Sequence, residues 1–179
     1  MAHYLLLAAT SDLGTRVATG LLNQGHDLWL TGRDSDSIKA LATRLGTSYS
    51  VVDATDFEAV DQVFVTAKSH FGGIEGVVCC AGSLLLKPAH LTTWQEYLNV
   101  MQANLTTAFA TVRAAGQHMT DAGGSVVLIS SGAALKGIAN HEAIAAAKGG
   151  LISLARSAAA TYAAAQLRFN VVAPGLTVT

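Results

Sequence analysis

Short apolar runs alternate with longer stretches of helical periodicity along the whole chain. HYLLLA (3–8), DLWLTG (27–32), SYSVVD (48–53), GVVCCA (76–81), SVVLIS (125–130) and RFNVVA (168–173) read as strands. The segments 13–24, 35–45, 56–71, 92–119 and 139–165 between them read as helices. This alternation predicts parallel βαβ units with helices on both faces of one sheet, an α/β, doubly wound, Rossmann-like fold. Right-handed crossovers then predict the strand order 3-2-1-4-5-6.

Punctuation agrees with the pattern. Gly25, Gly46, Gly72 with Gly73, and Gly123 with Gly124 each follow a helical run, where a left-handed residue closes a helix without a Cβ penalty. Asp34 and Asp56 suit N-caps, and Thr93 followed by Glu96 fits a capping box. No repeat or low-complexity linker divides the chain, so residues 1–179 read as one domain.

Composition narrows the functional classes. The net charge of -1, with Lys and Arg dispersed, offers no basic stripe for a nucleic-acid backbone. HYLLLAA is short and has no positive region before it, so it reads as a strand and not a leader peptide. Lys148 and Arg156 interrupt the Ala-rich stretch 144–167, which argues against a membrane span. A soluble, cytoplasmic protein is the expectation. Charged residues are only 13% of the chain against roughly 25% in ordinary soluble domains, so part of the surface is expected to be covered by neighbouring subunits or cofactor. Cys79 and Cys80 are adjacent in a strand and point to opposite faces, so they read as buried thiols with neither a disulfide nor a metal.

On a doubly wound sheet, ligands bind outside the carboxyl ends of the strands. After the first strand AATSDLG (8–14) runs into a helix, where amides at a helix N-terminus can receive a pyrophosphate. Of three expected glycines only Gly14 is present, with Ala8 and Asp12 in the other places, and an ordinary strand-to-helix turn stays open as a reading. Asp12 brings a carboxylate toward a phosphate site, or caps the helix and points away. Arg33 ends the second strand, where an arginine accommodates a 2′-phosphate and favours NADP over NAD; a solvated arginine beside Asp34 is the alternative. Asp53 can accept from an adenine amino group. Ala81 and Gly82 form a floor of small residues, Ser131 stands just past strand five, and Pro174 and Gly175 lie beyond strand six.

With these groups placed, the chain resembles the short-chain dehydrogenase/reductase family from Ala2 to its last residue. AATSDLG matches the family's glycine-rich turn, VDATD its adenine contact, CCAG its Asn-Asn-Ala-Gly, and ANL its helix asparagine. ISS, Lys148 and VAPGLTVT complete the order. The resemblance implies NAD(P) bound across the strand tips and hydride transfer to or from a carbonyl or alcohol carbon of a small molecule. It implies cofactor contacts from Thr10, Ser11, Asp12, Leu13, Gly14, Arg33, Asp53, Ala54, Ala81, Gly82, Lys148, Pro174, Gly175 and Thr177. It also carries over three catalytic positions. Ser131 steadies the substrate oxygen, Lys148 holds the nicotinamide ribose and assists a tyrosine acid, and Asn104 holds a relay water. The tyrosine belongs four residues before the lysine, where this chain has Ile144.

Isoleucine has no proton to give. On a helix beginning at 139, residues 141, 144 and 148 share a face, so His141 is the candidate substitute acid; Glu142 lies off that face. Tyr162 lies more than three turns past Lys148 and is expected to be an interface or core aromatic. Two readings follow: an NADP-dependent oxidoreductase with an altered proton source, or a catalytically silent nucleotide-binding or structural subunit. Against family members the chain is expected to lack a C-terminal lid and a last strand. The resemblance further implies a homodimer or homotetramer built through helices 92–119 and 139–165.

Overall fold

A computed structural model, describing residues 1–176, contains one six-stranded parallel sheet in the order β3-β2-β1-β4-β5-β6. The strands are β1 (His3–Leu7), β2 (Asp27–Gly32), β3 (Ser48–Val51), β4 (Gly76–Cys79), β5 (Gly124–Ile129) and β6 (Leu167–Val172). The helices are α1 (Asp12–Asn23), α2 (Ser35–Leu45), α3 (Phe57–Phe71), α4 (Trp94–Met101), α5 (Thr107–His118) and α6 (Glu142–Tyr162). The strand order is the one the apolar pattern predicts, and it places a topological switch between β1 and β4.

Two cores flank the sheet. On one face Leu5, Leu7 and Val77 pack against Phe64 of α3, Ala114 of α5 and Leu151 of α6. On the other, Leu6, Leu30 and Val78 meet Ala18 of α1 and Ile38 of α2. Cys79 joins the first core and Cys80 the second, both as free thiols, as alternation along a strand requires. Burial of the apolar strand faces supplies most of the driving force, about 25 cal/mol per Å² removed from water.

Caps follow the sequence closely. Asp34 and Asp56 accept amides at the starts of α2 and α3, Gly46 and Gly72 close those helices in the left-handed conformation, and Thr93 with Glu96 forms a reciprocal capping box on α4. Ser11, and not Asp12, caps α1: its Oγ accepts the Gly14 amide at 3.0 Å, while Asp12 is the first helical residue and is exposed.

Two expected helices differ in ways that bear on function. The segment 92–119 is not one helix: a π-helical turn, Gln102–Thr106, separates α4 from α5. The helix expected from 139 begins at Glu142 and ends at Tyr162, with a 3₁₀ turn from Ala163 to Ala165 after it. Asn140 has φ 61°, and this left-handed residue breaks any continuation of α6 toward residue 139. Tyr162 is a packing residue: its ring lies over Gly116, where a Cβ would come within 2.4 Å of its hydroxyl, and its centroid is 5.7 Å from that of Phe169. Among the described residues no helix is long and apolar enough to cross a membrane.

Candidate cofactor cleft and active site

The ends of β1, β2, β3 and β4 open on a cleft of about 720 Å³, the size range of small-molecule sites. Of the candidates named from the sequence, Thr10, Ser11, Arg33, Asp53, Ala54, Ala81 and Gly82 line it. Asp12 and Leu13 are exposed in the first turn of α1, and Gly14 is buried below them.

The turn after β1 keeps the geometry of a glycine-rich turn with fewer glycines. Ala8 has φ 57°, a left-handed conformation costing roughly 1–2 kcal/mol for an L-residue. Its amide donates to Thr31 Oγ1 at 3.3 Å, and the Ala9 amide donates to the Thr31 carbonyl at 2.7 Å, so β2 holds the turn in place. Gly14 cannot be replaced in this way: a Cβ there would lie 2.7 Å from the Ala9 carbonyl oxygen. The absent side chain lets α1 start directly against the tip of β1, which aims its N-terminus at the cleft.

At the adenosine end, Asp53 Oδ1 accepts from the Thr55 amide (2.9 Å) and from Thr55 Oγ1 (2.8 Å). These bonds, with a further contribution from the Arg33 charge, hold the Asp53 carboxyl below the usual carboxylate range. Arg33 is exposed at the cleft wall, and its neighbour Asp34 is spent on capping α2. An exposed guanidinium, an ionised carboxylate and a helix N-terminus along one cleft fit an adenine dinucleotide.

Asn104 and Lys148 lie behind the cleft lining and meet at Gly82, which belongs to it. Asn104 is 1% exposed and sits in the π-helical turn. Its Nδ2 donates to Ser83 Oγ (3.1 Å) and to the Val100 carbonyl (2.9 Å), and its Oδ1 accepts the Ser83 amide (3.2 Å). Lys148 is 7% exposed, and its Nζ donates to the Ile129 carbonyl at 2.7 Å. Burial pushes its ammonium below the ordinary lysine range, against a smaller opposing effect of Cys79 and Cys80. A Cβ on Gly82 would lie 3.0 Å from Asn104 Oδ1 and 3.1 Å from Lys148 Nζ, so the bare glycine is what lets both polar atoms pack close against residue 82.

The remaining candidates are placed differently. Ser131 Oγ accepts the Ala133 amide at 3.2 Å, just past β5, where the Gly132 amide also donates to the Pro174 carbonyl at 2.8 Å. Ser131, Pro174 and Gly175 thus belong to the joined ends of β5 and β6, outside the lining of the cleft. His141 stands at the N-cap position of α6, its carbonyl accepting the Ala145 amide at 2.7 Å, with Nδ1 2.7 Å from the Ala139 carbonyl. Ile144 is 2% exposed and packs with Val100, Ala143 and Ala147. Thr177 lies outside the described residues. Ser83, Thr55 and Gln102 line the cleft without having been singled out from the sequence. The turn pattern Asp-x-Thr could have flagged Thr55; no pattern announces the other two.

A parallel sheet in this order with a cleft at its switch point defines a dinucleotide-binding domain of the doubly wound class. Residues 7–179 match the family model described as Enoyl-(Acyl carrier protein) reductase. The chain is 35% identical over 174 residues to the 3-oxoacyl-[acyl-carrier-protein] reductase MabA of Mycobacterium avium, covering 96% of this chain and 65% of that protein. It is 31% identical over 176 residues to the 3-oxoacyl-[acyl-carrier-protein] reductase of Mus musculus, covering 95% of this chain and 73% of that one. Among solved structures, a short-chain type dehydrogenase/reductase from Mycobacterium ulcerans superposes with a TM-score of 0.94 at 25% identity, over 98% of this chain and 67% of that one. A single-residue variant of ElxO with NADPH bound shares the fold, with a TM-score of 0.92 at 24% identity over 98% of this chain and 73% of that one. The chain belongs to the short-chain dehydrogenase/reductase family.

Proposed function

We propose that this chain is the dinucleotide-binding and catalytic core of an NADP-preferring oxidoreductase acting on a small carbonyl or alcohol substrate. The observation that carries this reading is the convergence of Asn104 Oδ1 and Lys148 Nζ on Gly82, which lines the same cleft as Arg33 and Asp53. A purely structural domain has no use for a buried lysine and a buried asparagine aimed at a glycine beside such a cleft, since burying an ammonium costs stability.

Bound cofactor would supply the hydride. Arg33 would meet the 2′-phosphate, Asp53 the adenine amino group, Thr10 and Ser11 with the start of α1 the pyrophosphate, and Lys148 the nicotinamide ribose. Ser131 would hold the substrate oxygen. Ser11 Oγ already takes the Gly14 amide, so fewer amides of the α1 terminus remain for phosphate than three glycines would leave.

The likeness to 3-oxoacyl-[acyl-carrier-protein] reductases puts 3-oxoacyl thioesters in the substrate panel beside ketones, aldehydes and quinones. NADPH oxidation measured against that panel tests the reading, with NADPH binding followed separately by fluorescence. Binding without turnover of any carbonyl compound would favour the second reading, a silent subunit, which the apolar packing of Ile144 supports. Assembly through α4, α5 and α6 is part of the proposal: Trp94, Tyr97 and Phe109 are large apolar residues exposed on α4 and α5.

A further inference from the structure

Ser83 is held from behind by Asn104 through two bonds. The Ser83 amide donates to Asn104 Oδ1 at 3.2 Å, and Asn104 Nδ2 donates to Ser83 Oγ at 3.1 Å. The orientation of the Asn104 side chain is fixed by its partners. A backbone amide can only donate, so it needs the oxygen; the Val100 carbonyl, 2.9 Å from Nδ2, can only accept, so it needs the nitrogen. Both N–H donors of Asn104 are spent in this way, one on Val100 and one on Ser83.

The consequence falls on the serine hydroxyl, which has one donor and two acceptor lone pairs. Ser83 Oγ receives a hydrogen from Asn104, so its own proton points elsewhere, and among the described residues it has no acceptor. Ser83 is exposed and lines the cleft, whereas Cys80, Ala81 and Gly82 before it line the cleft without a hydroxyl. In the strand order β3-β2-β1-β4, Ser83 follows β4 and stands across β1 from Arg33 and Asp53. Neighbouring strands lie about 4.8 Å apart, so the tips of β3 and β4 are about 14 Å apart. A ligand that meets both Asp53 and Ser83 is therefore longer than an adenosine.

We infer that Ser83 is a further cofactor-binding residue, whose hydroxyl donates a hydrogen bond to an acceptor oxygen of the bound dinucleotide beyond its adenosine. Asn104 is then a positioning residue, acting on the cofactor through Ser83. The inference rests on the dinucleotide-binding reading and holds whether or not the chain turns over a carbonyl compound. The acceptor belongs either to the pyrophosphate and second ribose or to the nicotinamide carboxamide, and both are oxygens that a neutral hydroxyl can serve.

The test uses the full chain, with calorimetric titration of wild type, Ser83→Ala and Ser83→Thr. Three ligands are compared: NADPH, 2′-phospho-ADP-ribose, which lacks the nicotinamide ring, and adenosine 2′,5′-bisphosphate, which ends at the first phosphate. Ser83→Ala should bind NADPH about 3–10-fold more weakly, the effect of one neutral hydrogen bond. Ser83→Thr, which keeps the hydroxyl, should recover most of that loss, and the bisphosphate should bind all three proteins alike. An equal loss with 2′-phospho-ADP-ribose places the acceptor on the pyrophosphate or second ribose, and a loss confined to NADPH places it on the carboxamide; either result supports the inference. Unchanged NADPH affinity in Ser83→Ala, or a loss that Ser83→Thr does not recover, overturns it. So does an equal loss with the bisphosphate, which would mean that Ser83→Ala disturbs the whole cleft by leaving one Asn104 N–H without its partner. Wild-type protein that binds no NADPH overturns the dinucleotide-binding reading, and the inference with it.

Discussion

The amide of Lys87 donates to the carbonyl of Asn140 across 2.8 Å, joining the segment after β4 to the turn that precedes α6. The same lysine reaches Glu96 with its ammonium, 2.8 and 2.9 Å from the two carboxylate oxygens. Glu96 in turn accepts the Thr93 amide at 2.8 Å as half of the capping box on α4. Lys87 and Glu96 together thus tie three pieces of chain: the segment after β4, the start of α4 and the turn before α6.

That arrangement has a pH signature. The Lys87 hydrogen bond, followed by those from Thr93, holds the Glu96 carboxyl down at about 2. A free glutamate titrates near 4.3, so the stabilisation is complete above about pH 5 and is lost as pH falls toward the folded-state value. Urea midpoints of wild type and Glu96→Gln should differ at neutral pH and converge between about pH 4 and pH 2. A gap that stays constant over that range would show that Glu96 contributes through something other than its charge.

Ala8 offers a gain in stability. Its φ of 57° is a conformation that glycine adopts without the Cβ penalty. Ala8→Gly should therefore stabilise the fold by about 0.5–1 kcal/mol, the relief of strain outweighing the added freedom of the unfolded chain. Thermal unfolding checks it, with a rise of a few degrees expected for a chain of this size, about 2–4 °C per kcal/mol. A lowered midpoint would mean that the alanine methyl makes packing contacts worth more than the strain.

Two glycines should fail differently when given a methyl group. In Gly14→Ala the Cβ meets the main chain of Ala9 at 2.7–2.8 Å, and neither backbone can yield. A loss of about 1–3 kcal/mol in stability is expected, together with weaker NADPH binding. In Gly82→Ala the new atom meets only the ends of the Asn104 and Lys148 side chains, at 3.0 and 3.1 Å. The fold should survive with its melting temperature little changed, while turnover drops. Equal destabilisation in both variants would contradict this distinction between structural and site glycines.

Strand order and both cores are legible in the sequence because short apolar runs of strand length, bounded by Gly and Asp, alternate with longer stretches of helical spacing. The caps at Asp34, Asp56 and Thr93 are legible because each is a local hydrogen bond between residues two or three apart. The π-helical turn is not, since inserting one residue into a helix leaves no mark on hydrophobic spacing or propensity, yet it is where Asn104 sits. The start of α6 departs from the expected one for a related reason. Nothing in the residue types requires Asn140 to take a left-handed conformation, and that conformation ends the helix at His141, which becomes its N-cap with Nδ1 turned to the Ala139 carbonyl. At the candidate site, residue identities can be read from motif order, but the approach of both Asn104 Oδ1 and Lys148 Nζ to residue 82 is a tertiary fact that depends on Gly82.

Cofactor choice should turn on Arg33. Its exposed guanidinium lines the cleft, and Asp34 beside it is committed to the Ser37 amide at 2.8 Å. A charge-assisted hydrogen bond to a 2′-phosphate is worth about 1.5–3 kcal/mol, so Arg33→Ser should weaken NADPH binding by about 10–150-fold. NADH, which lacks that phosphate, should bind the variant and wild type alike. Titration of both cofactors by fluorescence decides it, and equal losses for the two would remove Arg33 from phosphate recognition.

Ile144→Tyr separates the chemistry of the site from its packing. Ile144 is 2% exposed among Val100, Ala143 and Ala147, with Leu85, Met101 and Leu105 at the edge of the cluster. A phenol ring is larger than the side chain it replaces, and overfilling a packed site costs about 1–3 kcal/mol. The melting temperature should fall by about 2–4 °C for each kcal/mol. If the hydroxyl reaches a substrate oxygen held by Ser131, the site gains the acid that this position lacks, and turnover should rise by about 10²–10⁴-fold with NADPH affinity unchanged. A lower melting temperature with unchanged turnover would mean that the ring is trapped in the cluster with Val100 and that its hydroxyl does not reach a bound substrate.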